Sequence, residues 1–292
     1  MAKEIKTVAC CLLPVASLQQ LTMAKERLDA LLVRLNLCTS RQKAQGLIRA
    51  GEVMVDKQVI DKPGTTVNND AKIEVKERSP FVSRGGHKLE KALAVFPISV
   101  NNRICLDGGI STGGFTDCLL QAGAKLVYGI DVGYGQVAWT LRNDPKVVLR
   151  ERTNLRHLTP GQLYANSSEL KADLAVVDVS FISLTKVLPA LWELLVPPRE
   201  AVLLVKPQFE VGKAKVGKKG VVRSPQDQTD AIFRVCQAAA SLGWGYGGLT
   251  WSPLVGPAGN IEYLLWLRME AGGMPSQEAI ASIALAAKSE LT

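Results

Sequence analysis

The sequence predicts an α/β fold in which a doubly wound sheet follows a small, basic α+β module. The first observation is a strand, a glycine turn, a helix and a second strand within residues 103–131. The second is that the apolar runs interpreted as later strands end in polar residues, at Asp178 and Lys206. The third is Pro80, which interrupts secondary structure between the module and the sheet.

Length, charge and residue usage limit the classes of protein to consider. At 292 residues, the chain exceeds one typical domain and suggests two. A net charge of +8 favours a polyanionic partner, nucleic acid before an anionic membrane. With two histidines and no CxxC pair, we expect no metal site, and no apolar run approaches the roughly 20 residues of a membrane span. The six cysteines are typical of reduced residues in a cytoplasmic protein.

Residues 1–24 do not continue the pattern of the module. Their apolar segment is broken by Pro14 and lacks a small-residue cleavage site. The four residues from Met23 repeat the opening Met-Ala-Lys-Glu. We expect a disordered extension or a true start at Met23, and a targeting peptide is the lesser alternative.

Residues 25–76 are predicted to form the small module. One helix is expected over 26–37 and a second over 41–50, capped by Thr39 or Ser40. Short strands are expected around residues 53–55, 59–60 and 73–75. The helices carry five basic side chains, namely Arg27, Arg34, Arg41, Lys43 and Arg49.

A more specific pattern than a charged face runs through this module. Its members are Arg27-Leu28-Asp29, Ser40-Arg41, Ala44, Leu47-Ile48, Gly51, Val53 and Val55. The pattern resembles the S4 RNA-binding domain, which binds structured RNA through phosphates and shape. The resemblance implies that the five basic side chains contact RNA, whereas a solvated charged face is the alternative.

Residues 77–83 are predicted to be an interdomain linker, followed by a sheet domain over 84–270 and a terminal helix over 271–292. The sheet domain opens with a helix that carries Lys88 and runs through Phe96. Its seven expected strands cover 104–106, 126–130, 147–150, 174–177, 201–205, 247–251 and 261–269, and the last two form an antiparallel pair. Further helices are expected over 136–142, 184–195 and 226–242. The prediction is therefore a seven-stranded mixed sheet.

The glycine turn after the first strand of the sheet domain indicates a nucleotide-like ligand. Asp107 lies at the end of that strand, where a carboxylate would repel a pyrophosphate and so argues against NAD. The same carboxylate would attract a ligand that carries an ammonium group, such as S-adenosylmethionine (SAM). Asp131 ends the next strand, where a carboxylate can accept ribose hydroxyls. A glycine-rich turn without a ligand is the alternative.

A basic loop over 211–223 follows Lys206 directly. It contains five cationic side chains: Lys213, Lys215, Lys218, Lys219 and Arg223. We expect a flexible loop beside the carboxyl edge of the sheet that holds RNA phosphates, and a solvated disordered loop is the alternative.

Four motifs in the sheet domain together resemble the TlyA (haemolysin A-like) family. They are Ser-Arg-Gly-Gly-His-Lys-Leu at 83–89, Leu-Asp-Gly-Gly-Ile-Ser-Thr-Gly-Gly-Phe-Thr-Asp at 106–117, Asp-Val-Ser-Phe-Ile-Ser at 178–183 and Val-Lys-Pro-Gln-Phe-Glu at 205–210. This family joins an S4 domain to an FtsJ/RrmJ-like SAM-dependent methyltransferase. The resemblance covers residues 24–270 and implies methyl transfer to a ribose 2′-OH of ribosomal RNA, at cytidines.

The resemblance also implies roles for individual residues. The family's Lys-Asp-Lys-Glu tetrad corresponds to Lys88, Asp178, Lys206 and Glu262, with Glu262 expected on the last strand. SAM is expected to contact Asp107, Gly109, Ser111, Gly113, Gly114, Phe115, Asp131 and Asn154, and Arg84 is expected to contact RNA. A lysine amine is protonated at neutral pH, but two lysines held close together and partly buried favour loss of one proton. Lys206 is therefore the expected general base.

Three alternatives stay open at this point. A base methyltransferase would carry an Asp/Asn-Pro-Pro-Tyr/Phe motif where this chain has Asp178-Val179-Ser180-Phe181. A non-catalytic, RNA-binding ribosome-assembly factor would need neither the glycine turn nor the tetrad. A pore-forming haemolysin would need a membrane-length or amphipathic lytic segment. The sequence also leaves open whether the protein is a monomer or a dimer.

Overall fold

A computed structural model describes residues 24–76, 79–164, 170–217, 219–269 and 272–291, without the side chain at position 213. The chain divides into two compact units, Met1–Arg78 and Ser79–Thr292. The division falls inside the predicted linker. The predicted extension over 1–24 lies outside the described residues except for its last position.

The first unit packs two helices on short antiparallel strands. The strands are β1 (Lys25–Arg27), β2 (Val53–Val55), β3 (Gln58–Val59), β4 (Thr66–Asn68) and β5 (Ile73–Val75), and the helices are α1 (Leu28–Arg34) and α2 (Arg41–Arg49). Strand β1 pairs with β4, and β3-β2-β5 form a three-stranded sheet. The core consists of Leu28, Leu31, Leu32, Ala44, Ile48, Val53, Val55 and Val67.

The first helix of this unit is shorter than the sequence predicted. Residues 25–27 are a strand because their backbone pairs with β4, and Arg27 is the extended cap residue before α1. The helix ends at Arg34, and Asn36 has a positive φ of 56°. Helix α2 begins as expected, since the Ser40 hydroxyl accepts a hydrogen bond from the Lys43 amide at 3.3 Å.

The second unit is a seven-stranded sheet within the described residues, flanked by helices on both faces. Its strands are β6 (Ile104–Gly108), β7 (Leu126–Ile130), β8 (Val147–Arg150), β9 (Leu174–Val177), β10 (Glu200–Val205), β11 (Gly245–Trp251) and β12 (Tyr263–Arg268). Their order is β11-β12-β10-β9-β6-β7-β8, and β12 runs antiparallel to both of its neighbours. This arrangement confirms the predicted mixed sheet.

The α-helices of this unit separate into two layers. They are α3 (Gly85–Val95), α4 (Gly114–Gln121), α5 (Trp139–Arg142), α6 (Pro160–Leu163), α7 (Leu188–Leu194), α8 (Pro207–Glu210), α9 (Pro225–Ala240) and α10 (Gln277–Leu291). Residues of α3 and α4 pack with Cys105, Val176 and Val202 on one face of the sheet. Residues of α7, α9 and α10 pack with Leu106 and Leu203 on the other. Because side chains alternate along a strand, each central strand contributes to both cores.

Three predicted elements differ in ways that affect the site. Glu262 lies just before β12 and not on it, since the strand begins at Tyr263. The helix expected over 136–142 is confined to α5, because Ala138 has a non-helical ψ of 138° and its amide donates to the Thr112 carbonyl. The helix expected over 184–195 is divided, with a 3-10 turn at Leu184–Lys186 before α7.

Candidate active site

Four polar side chains converge at the carboxyl edge of the parallel strands. The Lys88 ammonium lies 2.7 Å from Glu262 Oε2 and 3.9 Å from Asp178 Oδ2. The Lys206 ammonium lies 2.6 Å from Asp178 Oδ1. The four residues predicted as a catalytic tetrad, which are 174 positions apart at the extremes, therefore form one cluster.

Each member of the tetrad comes from a different element. Asp178 and Lys206 directly follow β9 and β10, which are parallel neighbours, so their side chains emerge at the same edge. Glu262 precedes β12, whose first residue pairs with Val205, so the antiparallel register brings it beside Lys206. Lys88 comes from α3. This helix packs closely because Gly86 has no side chain, and a Cβ there would overlap the Phe81 ring.

Charge alternates along this cluster in the order Glu262, Lys88, Asp178 and Lys206. Glu262 is only 2% exposed, and both lysines are largely buried, which strengthens each ion pair. The Asp178 carboxylate thus lies between the two ammoniums. Attraction to carboxylates, more than the repulsion between like charges expected from the sequence, organises the lysines.

The structure adds Ser180 and Glu210, which the sequence motifs contained but which were not predicted as site residues. Lys206 Nζ donates to Ser180 Oγ at 2.8 Å, so a hydroxyl and a carboxylate together fix the amine. Glu210 is buried and accepts from Ser183 Oγ at 2.6 Å and from the Leu184 amide at 2.8 Å. Burial raises the pKa of Glu210, against the effect of these hydrogen bonds. Both residues lie in motifs that follow strand ends, at 178–183 and 205–210, and this placement could have identified them as site residues from the sequence.

Phe181 has an unusual backbone conformation between Ser180, which contacts Lys206, and Ser183, which contacts Glu210. Its φ is +63°, a region that residues with a side chain rarely adopt, and its ring is 91% exposed. The ring lies 5.3 Å from that of Phe209, measured between centroids. Such strain at a cavity rim persists only where neighbouring contacts impose it.

The glycine turn between β6 and α4 approaches the tetrad at Gly109. Its φ is +88°, and a Cβ at this position would overlap the Asp178 carbonyl oxygen. Gly113, at φ +101°, leaves no room for a side chain beside Leu141. The backbone at these two positions therefore requires glycine, as expected of a turn that approaches a ligand.

Asp131 stabilises the same turn. Its Oδ2 accepts from the Ser111 amide at 2.8 Å, and its Oδ1 accepts from the Gly133 amide at 2.7 Å. Ser111 has a positive φ of 50°, so the carboxylate stabilises a backbone conformation that serine rarely adopts. Each carboxylate oxygen retains a second lone pair, with which it can accept a ligand hydroxyl.

Two cavities of about 320 Å³ adjoin at Gly109, Ser111 and Asp178. The first also contains Lys88, Arg84, Gly114 and Phe115, and the second contains Asp131 and Asn154. A wider cavity of about 810 Å³ contains Asn154, Ser180, Phe181 and Phe209. Six of the eight predicted cofactor residues thus line adjoining cavities next to the tetrad, and Gly113 and Asp107 line neither.

Asp107 is fully buried inside β6, beneath the turn. Its Oδ2 accepts from Thr116 Oγ1 at 2.7 Å, and its Oδ1 has no hydrogen-bond partner within the described residues. Desolvation raises the pKa of Asp107 to about 7, and the Asp178 charge adds to this effect. The strand extends to Gly108, beyond the end expected from the sequence, and Asp107 lines neither cavity.

The predicted RNA-binding residues of the first unit fall into two groups. The guanidiniums of Arg27 and Arg41 donate to the buried Asp29 carboxylate at 2.9 and 3.1 Å. Arg34 pairs with Glu26 at 2.8 Å. These three arginines therefore have structural partners, although they remain about half exposed. Lys43 and Arg49 are exposed on α2.

The basic loop is more ordered than the sequence predicted. Val222 is buried, its amide donates to Asn260 Oδ1 at 2.9 Å, and Asn260 Nδ2 donates to the Gly220 carbonyl at 2.8 Å. Lys215 pairs with Asp227 at 2.7 Å and with Asp230 at 3.1 Å. Lys219 and Arg223 are exposed, whereas Lys218 and the side chain of Lys213 lie outside the described residues.

Within the described residues, no group of three or more His, Cys, Asp or Glu side chains is arranged to hold a metal ion. Among the described helices, none combines the length and apolar character that crossing a bilayer requires.

Comparison with known proteins gives the family. Residues 81–269 match the FtsJ-like methyltransferase family, and residues 26–73 match the S4 domain. YqxC of Bacillus subtilis is 49% identical over 259 residues, 88% of this chain and 91% of that protein. The 16S/23S rRNA (cytidine-2'-O)-methyltransferase TlyA of Mycobacterium tuberculosis is 51% identical over 249 residues, 84% of this chain and 91% of that protein.

A solved structure agrees with these matches. It is described as a candidate hemolysin of Streptococcus thermophilus and is 40% identical, with a TM-score of 0.70 over 92% of this chain and 98% of that one. Fold, domain content and sequence identity over most of the chain all agree. The protein therefore belongs to the FtsJ-like methyltransferase family, among the TlyA-type members that carry an N-terminal S4 domain.

Proposed function

We propose that the protein is a SAM-dependent methyltransferase that modifies a ribose 2′-OH of ribosomal RNA, at cytidine. The observation that carries this proposal is the Lys88–Asp178–Lys206–Glu262 cluster beside the Gly109 turn. A ribose hydroxyl is a poor nucleophile until its proton is removed, and this cluster offers an amine at a cavity rim. The similarity to the 16S/23S rRNA (cytidine-2'-O)-methyltransferase of Mycobacterium tuberculosis supports the same substrate class.

SAM is the proposed cofactor, and the residues around the turn fit it. Gly109 lets the backbone approach a ligand, and Ser111, Gly114 and Phe115 line the cavity on the tetrad side. Asp131 would accept the ribose hydroxyls, and Asn154 would contact the adenine. When bound, SAM supplies an electrophilic methyl group on a sulfonium. Asp107, whose Oδ1 has no hydrogen-bond partner within the described residues, is the residue proposed to lie near the SAM amino group.

Lys206 is the proposed general base. Asp178 Oδ1 and Ser180 Oγ fix its Nζ from two directions, at 2.6 and 2.8 Å. This Nζ would accept the proton of the 2′-OH, and SAM held by the residues around the turn would supply the methyl group to that oxygen. The base must be neutral when RNA binds.

The other residues of the site orient the reactants. Glu262 holds Lys88, and Lys88 in turn contacts Asp178, so the carboxylate between the lysines has one fixed orientation. Arg84 lies at the mouth of the same cavity, where a guanidinium would bind an RNA phosphate. The S4 unit and the exposed residues Lys219 and Arg223 would supply most of the affinity for RNA, through phosphate contacts.

The test is transfer of tritiated methyl groups to ribosomal RNA from a strain that lacks the protein, followed by mapping of the modified site. We expect Lys206→Ala to fold and bind SAM but to lose at least about 10³-fold in rate, as for removal of a general base. Lys125→Ala, at an exposed lysine far from the tetrad in sequence, is the control. Wild-type transfer that persists in Lys206→Ala would overturn the proposed role of this residue.

A base methyltransferase is the second candidate, because the exposed Phe181 ring follows Asp178 where base-modifying enzymes carry an aromatic residue. Digestion of the labelled RNA to nucleosides separates the two functions. A methyl group on the ribose supports the proposal, and a methyl group on the base overturns it. Failure of the wild-type protein to bind SAM in calorimetry would instead favour an RNA-binding assembly factor.

A further inference from the structure

Three aromatic side chains are strongly exposed within the described residues, and all three follow the carboxyl ends of strands. Phe181 follows β9 and belongs to the site described above. Tyr134, which is 65% exposed, follows β7, and Trp139, which is 77% exposed, opens α5 in the same segment. Exposed tryptophan and tyrosine rings concentrated on one edge of a sheet are typical of a binding surface.

The segment that carries Tyr134 and Trp139 is held firmly at both ends. The Gly135 amide donates to Glu151 Oε1 at 2.7 Å, and the same carboxylate pairs with Arg142 at 2.6 Å. The Ala138 amide donates to the Thr112 carbonyl of the glycine turn at 3.1 Å. The two rings are therefore exposed on a fixed backbone and not on a frayed loop.

The chemistry around these rings matches single-stranded nucleic acid. The Arg152 guanidinium lies 4.3 Å from the centroid of the Tyr134 ring, which leaves a cation beside an aromatic face. Gly135, Gln136 and Thr140 beside the rings are small or polar and exposed, and Val132 adds one exposed apolar side chain at the start of the segment. Aromatic rings beside an arginine and polar groups form a surface on which unpaired bases stack.

The position of the surface also favours RNA over a protein partner. Asp131 and Val132, at the start of the same segment, line the cavity that contains Asn154 and Phe181. A strand whose target ribose reaches Lys206 would continue past this rim. The chain's net charge of +8 attracts such a polyanion.

We propose that Tyr134 and Trp139 form a stacking surface for unpaired bases of the RNA strand that flanks the target nucleotide. The inference rests on the proposed function, because it assumes an RNA substrate at the tetrad. It assigns a role in substrate affinity, separate from cofactor binding and from the proton transfer at Lys206. Stacking tolerates any base, so the surface would contribute affinity and register without reading sequence.

The experiment measures binding of naked ribosomal RNA, methyl transfer and SAM affinity for Trp139→Ala, Tyr134→Ala and Trp139→Phe. Leu285→Ala removes an exposed apolar side chain on α10 and is the matched control. We expect each alanine variant to weaken RNA binding and raise KM by about tenfold, from the loss of one stacked base. We expect Trp139→Phe to stay within about threefold of wild type. The rate at saturating RNA and the SAM affinity should not change.

Unchanged RNA affinity in both alanine variants overturns the inference. If RNA affinity is unchanged but the variants differ from wild type in self-association by sedimentation, or in binding to a ribosomal protein, the surface binds protein and the inference is also overturned. Equal loss in Trp139→Phe and Trp139→Ala also overturns it, because stacking needs only an aromatic ring. Arg152→Ala keeps the test informative if a Trp139 variant does not fold. If wild-type protein neither binds SAM nor transfers methyl groups, the proposed function fails; normal wild-type transfer with unaffected alanine variants rejects the stacking surface alone.

Discussion

Ser180 shows how much of the site depends on single hydrogen bonds. Its hydroxyl and the Asp178 carboxylate are both within 3 Å of Lys206 Nζ, so the amine has two fixed partners and little freedom to turn. A general base acts only when its lone pair faces the proton that it removes. Ser180 is therefore a positioning residue for the proposed base.

Replacing Ser180 by alanine should lower kcat by roughly 10- to 100-fold, since a hydrogen bond to a charged group contributes about 1.5–3 kcal/mol. SAM and RNA affinities should not change, and Ser180→Thr should recover part of the rate. Ser241→Ala is the control, because that exposed hydroxyl bonds only to the Ala238 carbonyl of its own helix end. A loss of RNA affinity equal to the loss of kcat would contradict a positioning role.

The buried Asp107 carboxyl should make the free energy of unfolding of the second unit depend on pH, because burial shifts its pKa. Desolvation raises the pKa of this carboxyl to about 7, above the unfolded value of about 3.9. A group whose pKa is higher in the folded state stabilises the fold below its unfolded pKa, and this contribution disappears as pH rises through the folded value. Asp107 should therefore stabilise the second unit fully near pH 4 and progressively less up to pH 7.

The variant Asp107→Asn tests this because the amide oxygen can still accept from Thr116 without carrying a charge. Denaturant unfolding at several pH values should show wild type losing stability relative to the variant between pH 4 and 7. Parallel curves for the two proteins would mean that the buried carboxyl does not titrate in this range.

At the scale of elements, the first unit depends on a buried carboxylate that joins its two helices. Asp29 of α1 is fully buried and accepts from Arg27, Arg41 and Gln45, the last two from α2. The hydrogen bond from Arg27 is the main cause that holds the pKa of Asp29 well below its usual range. The Arg-Leu-Asp sequence at 27–29 therefore has a structural role.

Removing this carboxylate should destabilise the first unit by about 1–2 kcal/mol, because Arg27, Arg41 and Gln45 lose their acceptor while the two half-exposed guanidiniums stay solvated. Chemical unfolding of Asp29→Ala, followed by circular dichroism, measures the change, with the exposed Asp61→Ala as control. A carboxylate whose pKa is lower in the folded state than in the unfolded state stabilises the fold at pH values above its unfolded pKa. This stabilisation is lost as pH falls through the folded pKa. The gap between the two variants should therefore narrow below about pH 4.

At the scale of the whole molecule, two units divide the proposed work between RNA affinity and chemistry. The second unit contains the turn, the tetrad and Phe81, which packs in its core beside Leu89. A chain that begins at Ser79 should therefore fold and bind SAM. It should bind RNA more weakly, and the slope of log affinity against log salt should be shallower, since the phosphate contacts of the first unit are missing.

Titration of RNA at several salt concentrations measures that slope for the full and shortened chains. An unchanged slope would show that the first unit neutralises no phosphates. A chain that begins at Arg84 is the useful comparison, because it also lacks Phe81. It should be less stable than the chain from Ser79, since losing a buried phenylalanine costs about 3–5 kcal/mol.

Most of the sheet could be predicted from the sequence because its central strands β6, β7, β9 and β10 are apolar runs with a polar residue at or just after the end. Hydrophobic periodicity depends on neighbours in the chain, and so do the glycine turn and the cap at Ser40. The resemblance to a family identified the tetrad and the two domains before any coordinates. Element ends were less certain, and α5 and β12 begin later than expected because tertiary hydrogen bonds and strand register set them.

The sequence alone determined the mixed sheet, the basic module and which residue types lie at the carboxyl edge, since these follow from local pattern and motif. Only the tertiary structure decided how charges pair across long sequence separations. In the folded chain, Asp107 is fully buried, and Arg27 and Arg41 both form ion pairs with Asp29. It also placed Asp178 between two lysines. Electrostatic partners depend on distances through space, which no local pattern encodes.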